Sequence, residues 1–203
     1  MLKTFGVTVA AGLLALAAPL AVSAADGAKL AQDKCADCHG KDGNSDKDHV
    51  PNIAGFSAPY LEDTMSAYRA GDRPGIKFKK DDGTETDMNE IAKNLSDDDI
   101  SALAAFYEGQ KFKSHASEQK TDPALVAKGE KLFEDGCKKC HNEFGTDPSD
   151  DAGILGGQWM PYLREQFKNF ESGDRDMPKK MKTKFGEINK DDYEAVIQAL
   201  GSK

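Results

Sequence analysis

Apolar positions along the chain fall into two patterns. The first is an almost unbroken run from Phe5 to Val22, interrupted by Gly6, Thr8, Gly12 and Pro19. The second is helical. Ile100, Leu103, Ala104 and Tyr107 recur at i, i+3, i+4 and i+7 behind Ser96, with Asp99 three residues after that N-cap. This spacing predicts an amphipathic helix. Asn189, Asp192, Tyr193, Val196, Ile197 and Leu200 predict a second one of the same design. Leu30 and Leu132 belong to shorter helices, the latter opened by Asp122-Pro123 with proline at the first helical position. No run of alternating β-branched residues reads as a sheet, so the predicted class is all-α. Residues 113–121 (KSHASEQKT) are polar throughout and read as a linker.

The helical pattern is one pattern used twice. Under a shift of 102 residues, Gly27, Lys29, Leu30 and Asp33 fall on Gly129, Lys131, Leu132 and Asp135. Cys35, Cys38 and His39 fall on Cys137, Cys140 and His141, and Gly55 on Gly157. Pro59-Tyr60-Leu61 falls on Pro161-Tyr162-Leu163, and Gly71-Asp72-Arg73 on Gly173-Asp174-Arg175. The register needs no gap from Gly27 to Arg73. Beyond it the shift becomes 93, because the first copy carries 9 extra residues within the charged stretch Lys77–Asp87. Self-similarity of this kind marks a duplicated domain. The expected division is a leader over 1–24, a first domain over 25–112, the linker over 113–121 and a second domain over 122–203.

The leader reading rests on the apolar run behind Lys3 and on the small residues Val22 and Ala24 at the −3 and −1 positions before Ala25. That is the layout of a cleaved secretory signal. An uncleaved anchor would need a longer run, of ~20 apolar residues, without proline and glycines. The expected location is the periplasm, with no integral membrane span once the leader is gone. Its removal takes the formal charge from −8 to −9. An acidic chain lacks the basic face that phosphate binding needs, so nucleic acid is excluded as a partner. About 180 residues then make two small domains with few large apolar residues, and cores that thin call for something else to fill them.

The cysteines supply a candidate. Cys35-Ala36-Asp37-Cys38-His39 and Cys137-Lys138-Lys139-Cys140-His141 share the form Cys-x-x-Cys-His. Two thiols so spaced can each add to one vinyl group of a porphyrin, and the adjacent histidine then meets the iron. A dithiol redox pair needs no histidine and is usually single. A four-thiol zinc site leaves both histidines unexplained, and structural disulfides do too. The expected cofactors are therefore two covalent haem c groups.

Methionine is the usual sixth ligand of an electron-carrying haem. Met88 precedes Leu95 by seven residues, as Met181 precedes Ile188, and both are expected in the loop before the last helix of their copy. They are the pair that matches under the shift of 93. Met177, four residues from Met181, competes with it. Met65 falls opposite Phe167 and reads as core, and Met160 falls opposite Ala58. His49 and His115 are the other histidines, unmatched between copies; either could ligate iron if a methionine did not, and the expected reading is that both are solvated. For Arg73, Arg175, Tyr60, Tyr162 and Trp159 two readings stay open: contact with haem propionates or edges, or helix starts and surface pairs.

The strings CADCHGKDGNS, CKKCH, ILGGQW, the two GDR triplets and MNEIAKNLSDDDISALAAFY carry a resemblance over the whole mature chain. It resembles the diheme class I cytochromes c, namely the cytochrome c4 group and the cytochrome subunits of flavocytochrome c sulfide dehydrogenases. GGQWMPYL and MPKKMKTKF lean toward the second branch. The resemblance implies two cytochrome c-type helical domains, each wrapped around one covalent haem with His39/Met88 or His141/Met181 as axial ligands. It implies an electron carrier rather than an enzyme. Its partners would be redox proteins: a membrane quinol-oxidising complex and a terminal oxidase or reductase. As a dehydrogenase subunit it would instead pair with a flavoprotein. No Gly-x-Gly-x-x-Gly fingerprint is present to hold a flavin on this chain.

Overall fold

The computed structural model describes residues 24–80 and 83–203. The expected leader lies outside the described residues apart from Ala24, which opens the first helix. The first half runs through α1 (Ala24–Lys34), α2 (Ala36–His39), α3 (Ala58–Ala70), a minimal hairpin of β1 (Phe78–Lys79) and β2 (Glu85–Thr86), α4 (Met88–Lys93) and α5 (Asp97–Glu108). The second half has α6 (Pro123–Gly136), α7 (Met160–Ser172), α8 (Lys179–Gly186) and α9 (Tyr193–Gly201). The expected all-α class holds, with the hairpin as its one addition. That hairpin is the inserted segment: it pairs Phe78 with Thr86 and Lys79 with Glu85, and a Lys77–Asp87 ion pair of 2.6 Å closes its base.

The duplication is legible atom by atom. Shifting α3 by 102 residues reproduces the bounds of α7. Gly43 O accepts from Ile53 N at 2.7 Å, and Gly145 O accepts from Leu155 N at 2.7 Å. Gly55 N donates to Tyr107 O at 2.8 Å, as Gly157 N does to Leu200 O at 2.8 Å. In each half the first and last helices cross where a glycine stands. A Cβ on Gly27 would lie 2.1 Å from Ala102 O, and one on Gly129 only 1.9 Å from Ala195 O. The crossing puts backbone against backbone, which no other residue permits.

Caps follow the sequence in one half more closely than in the other. Asp99 N donates to Ser96 Oγ and Ser96 N donates back to Asp99 Oδ2, so α5 starts with a full capping box. At the matching place Asn189 accepts from Asp191, one residue earlier than Asp99 would predict. The first turn, Lys190–Asp192, is therefore a 3-10 turn before α9 begins. Two apolar clusters result. One gathers Phe56, Leu61, Ile100, Leu103 and Tyr107, and the other Phe133, Leu163, Val196, Ile197 and Leu200. Ile154 crosses from the second half into the first cluster. Among the described residues no helix is long and apolar enough to cross a membrane.

Residues 113–121 are not a loose tether. His115 is buried, not solvated as expected, and stacks on Trp159 at 3.7 Å between ring centres. Its Nε2 lies 3.2 Å from Asn52 Oδ1. Asn52 and Gln158 exchange two hydrogen bonds, Asn52 N to Gln158 Oε1 at 3.0 Å and Gln158 Nε2 to Asn52 O at 2.7 Å. Trp159 Nε1 donates to Ser45 O across the same seam at 3.0 Å. A fully satisfied polar network of this kind fixes one arrangement of the two halves.

Candidate haem sites

Each Cys-x-x-Cys-His segment is one helical turn. In the first half Cys38 N and His39 N both donate to Cys35 O, at 3.2 and 2.9 Å. In the second, Cys140 N and His141 N donate to Cys137 O, at 3.1 and 3.1 Å. That turn puts two thiols and an imidazole on one short stretch, with all four thiols free. Burial pushes the Cys35 thiol up, which the Tyr107 hydroxyl only partly offsets, and burial likewise raises Cys38. Cys137 is pushed up to about 11 by burial and by Cys140 beside it. Thiols held neutral in this way are unlike the lowered thiols of dithiol oxidoreductases. Among the described residues no three His, Cys, Asp or Glu side chains converge as a metal cage, so the zinc reading has no geometric support.

The histidines differ in their support. His39 is buried, and its Nδ1 lies 3.0 Å from Pro51 O. A proton on Nδ1 satisfies that carbonyl and leaves Nε2 with its lone pair, the form that binds a metal. Burial holds the His39 imidazole below its ordinary range, against the Pro51 bond. His141 is half-buried, its Nδ1 is enclosed without a partner, and burial lowers it despite the Asp150 charge.

The methionines lie on separate elements, and not in loops as expected. Met88 is the first residue of α4, and Met181 the third residue of α8. Short helices form there because Asp87 caps α4 by accepting from Glu90 N at 2.8 Å, while Pro178 precedes α8. Asn89 fixes α4 in place: its Nδ2 donates to Tyr68 O and Arg73 O, and its Oδ1 accepts from Gly75 N. The matching residue in α8 is Lys182, so that helix is held differently. Phe185 packs it against Phe167, Phe170 and Tyr193, at 5.4, 5.7 and 4.9 Å between ring centres. Met181 and Phe185 stand at i, i+4 on α8 and both are half-buried, whereas Met177, also half-buried, lies in the coil before Pro178.

Arg73 and Arg175 are not surface pairs. Arg73 is 5% exposed and donates across the seam to Tyr162 Oη at 2.9 Å and to Gln166 Oε1 at 3.3 Å. Arg175 donates to the same Gln166 oxygen at 2.6 Å. The guanidiniums stack on Tyr68 and Phe170, which correspond under the 102-residue shift. Among the described residues neither arginine forms an ion pair, and Arg73 Nε is buried without a partner. Burial pushes the Tyr60 phenol up, but the Arg73 and Arg175 charges outweigh it and bring the group to about 8. Two cations meeting at one carbonyl oxygen, in a site lined by tyrosines, leave a place for an anion.

Sequence reasoning missed Asn52, Asn89, Gln158 and Gln166, which have no partner in the other copy and hence no repeat signal. Tyr68 and Phe170 did carry one, as aromatic residues matched in register five positions before each arginine. His49 is exposed and lies 3.2 Å from Asp48 Oδ1, as a solvated histidine should.

A family model described as cytochrome c matches residues 24–110. The chain is 36% identical over 174 residues to a cytochrome c4 from Pseudomonas aeruginosa, an alignment spanning 81% of this chain and 78% of that one. It is 33% identical over 81 residues to the cytochrome subunit of sulfide dehydrogenase from Chlorobaculum tepidum, spanning 40% of this chain and 64% of the other. Among solved structures, reduced recombinant cytochrome c4 from Pseudomonas stutzeri is similar with a TM-score of 0.68 at 29% identity, covering 88% of this chain and 96% of that chain.

Proposed function

This chain belongs to the cytochrome c family, in the diheme cytochrome c4 group, and from that premise we propose that it works in the periplasm as a mobile carrier between a membrane quinol-oxidising complex and a terminal oxidase or reductase. It carries two covalently bound haem c groups, transfers electrons and is not itself catalytic. When bound, each haem supplies one iron that alternates between ferric and ferrous states.

In this reading Cys35 and Cys38 hold the first haem and Cys137 and Cys140 the second. His39 and His141 are the nitrogen ligands, and Met88 and Met181 the sulfur ligands. The observation that carries it is the same cysteine–histidine turn built twice, with matching backbone bonds around it in the two halves. Pro51 orients His39 for ligation through Nε2. Arg73 and Arg175 receive haem propionates; what supports this is a buried and a half-buried guanidinium meeting at Gln166, with no carboxylate partner among the described residues and an orphaned Nε on Arg73. The chain's own residues thus attach, orient and neutralise, and electrons move without a proton-transferring side chain. Export rests on the apolar leader and its small residues before Ala25.

A second reading has this chain as the electron-accepting subunit of a flavoprotein dehydrogenase. Its support is the C. tepidum relative, together with GGQWMPYL and MPKKMKTKF in the second half. Purification separates the two: a stable complex with a flavin-bearing chain favours the subunit, and a monodisperse diheme protein the carrier.

The ligands are tested by a spectroscopic redox titration of the wild type, Met88→Ala, Met181→Ala and Met177→Ala. Each true ligand variant is expected to lose roughly half of the red methionine-to-iron band and to lower one of the two potentials. A full band in Met181→Ala with a halved band in Met177→Ala would move the second ligand to Met177.

A further inference from the structure

The geometry points to Tyr107 as a positioning residue for the first haem, its hydroxyl donating to the Cys35 sulfur once that sulfur is bonded to the porphyrin. This rests on the reading that Cys35 carries the first haem. Among the described residues three buried side-chain polar atoms lack a hydrogen-bond partner: Arg73 Nε, His141 Nδ1 and Tyr107 Oη. The first two belong to residues already given a role toward haem. Tyr107 has none.

Tyr107 stands in the last turn of α5 and is 2% exposed. Its ring is fixed on several sides. Phe106 meets it edge-on at 5.0 Å between ring centres. Gly43, at a φ of +83°, leaves it room, since a Cβ there would lie 2.8 Å from Tyr107 Cδ1. The ring belongs to the first apolar cluster, and Cys35 packs against that cluster. The two polar groups act on each other. Burial pushes the Tyr107 phenol up and the Cys35 sulfur adds to that; in return the hydroxyl lowers the thiol against its own burial, as a donor does. Asp42 acts on the phenol only through its charge, and its carboxylate is taken by Lys113 at 3.1 Å and by Asn44 N at 3.2 Å.

A buried hydroxyl without a partner is destabilising, and phenylalanine would fill the same space without that penalty. Attachment changes what the sulfur can do. A free thiol both donates and accepts, whereas a thioether has lost its proton and only accepts. A hydroxyl is the donor that fits it. The second half supplies a comparison. Under the shift of 93, Tyr107 falls on Leu200, which is equally buried at 2%. Both carbonyls accept from the corresponding glycine, Gly55 or Gly157, at 2.8 Å. The backbones match and the hydroxyl does not, so this donor serves the first haem alone. A proton held on the sulfur sets the positive end of the O–H dipole toward the porphyrin. That favours the ferrous form, which carries one positive charge fewer, and raises the first potential.

The test uses the diheme holoprotein. Tyr107→Phe keeps the ring and removes the hydroxyl. At fixed ambient potential the ferric-to-ferrous ratio of one haem is expected to rise about threefold, with the other haem unmoved. Resonance Raman spectra of the wild type, equilibrated in D2O, are expected to show a shifted thioether C–S band, because the hydroxyl proton has exchanged; Tyr107→Phe shows no such shift. Cys35→Ala removes the acceptor and leaves the haem on Cys38, and adding Tyr107→Phe to it is expected to change the potential no further. Unchanged potentials in Tyr107→Phe, or a wild-type C–S band indifferent to D2O, overturn the proposal. So does an equal shift of both haems, which marks a general loosening, or a threefold change that persists beside Cys35→Ala, which assigns the hydroxyl to another part of the haem. Should Cys35→Ala not assemble, the Raman comparison decides. Failure of the attachment reading is separate: it is seen by mass spectrometry as a haem-free wild-type peptide containing Cys35.

Discussion

Arg73 stands between two kinds of side chain and has a charge that none of them neutralises. Its guanidinium touches Tyr162 and Gln166 from the other half and stacks on Tyr68 at 4.8 Å. Were these its only partners, Arg73→Met would be close to neutral, since a buried charge replaced by an apolar group of similar length loses its desolvation cost too. With a propionate beside it, the same change strands a buried carboxylate. The expected loss is then about 3–5 kcal/mol, read by denaturant titration of the holoprotein, with a downward shift of one haem potential. An unchanged midpoint and potential would remove the propionate assignment. The imidazoles show another difference at this scale. His39 is oriented by Pro51 O, while the position matching Pro51 is Gly153, whose carbonyl does not reach His141.

At the scale of elements, the crossings of α1 with α5 and of α6 with α9 carry each half. Both are set by a glycine. The atom that a new Cβ would strike at Gly129 is the Ala195 carbonyl oxygen, with Ala199 Cβ behind it. Backbone cannot rotate away as a side chain does. Gly129→Ala is therefore expected to cost at least about 1–3 kcal/mol, read as a lowered thermal midpoint, and to reduce haem incorporation in the second half selectively. A tolerated substitution would mean that the helices separate without penalty. The methionine-bearing helices show how equivalent elements drift after duplication. α4 is tied by Asn89 to the Arg73 loop, and α8 by Phe185 to an aromatic cluster. A match at Met88 and Met181 thus did not extend to what fixes each helix.

For the whole molecule, the seam is a polar lock with an apolar plug. Asn52, at 0% exposure, accepts from Ser45 N at 2.7 Å and donates to Lys113 O at 2.7 Å, while Ile154 fills the first core beside it. Asn52→Ala strands the Ser45 amide, the Lys113 carbonyl and His115. The expected cost is about 1–3 kcal/mol, measured by denaturant titration, with unchanged helix content because each half keeps its own core. A loss of helix would mean that the halves do not hold their folds separately.

The sequence by itself determined the covalent chemistry, the helical class and the doubling. Two Cys-x-x-Cys-His strings depend on local spacing, the helices on periodicity and caps, and the repeat on register, all of which are written in one dimension. Tertiary structure decided what lies between distant positions. It buried His115 in the seam, set Arg73 in a tyrosine-lined site rather than a surface pair, put Met88 and Met181 on helices, and paired Phe78 with Thr86 and Lys79 with Glu85 in the inserted segment. Those outcomes depend on which polar groups can be satisfied once the two halves meet, and a match between copies carries no record of contacts that form only between them.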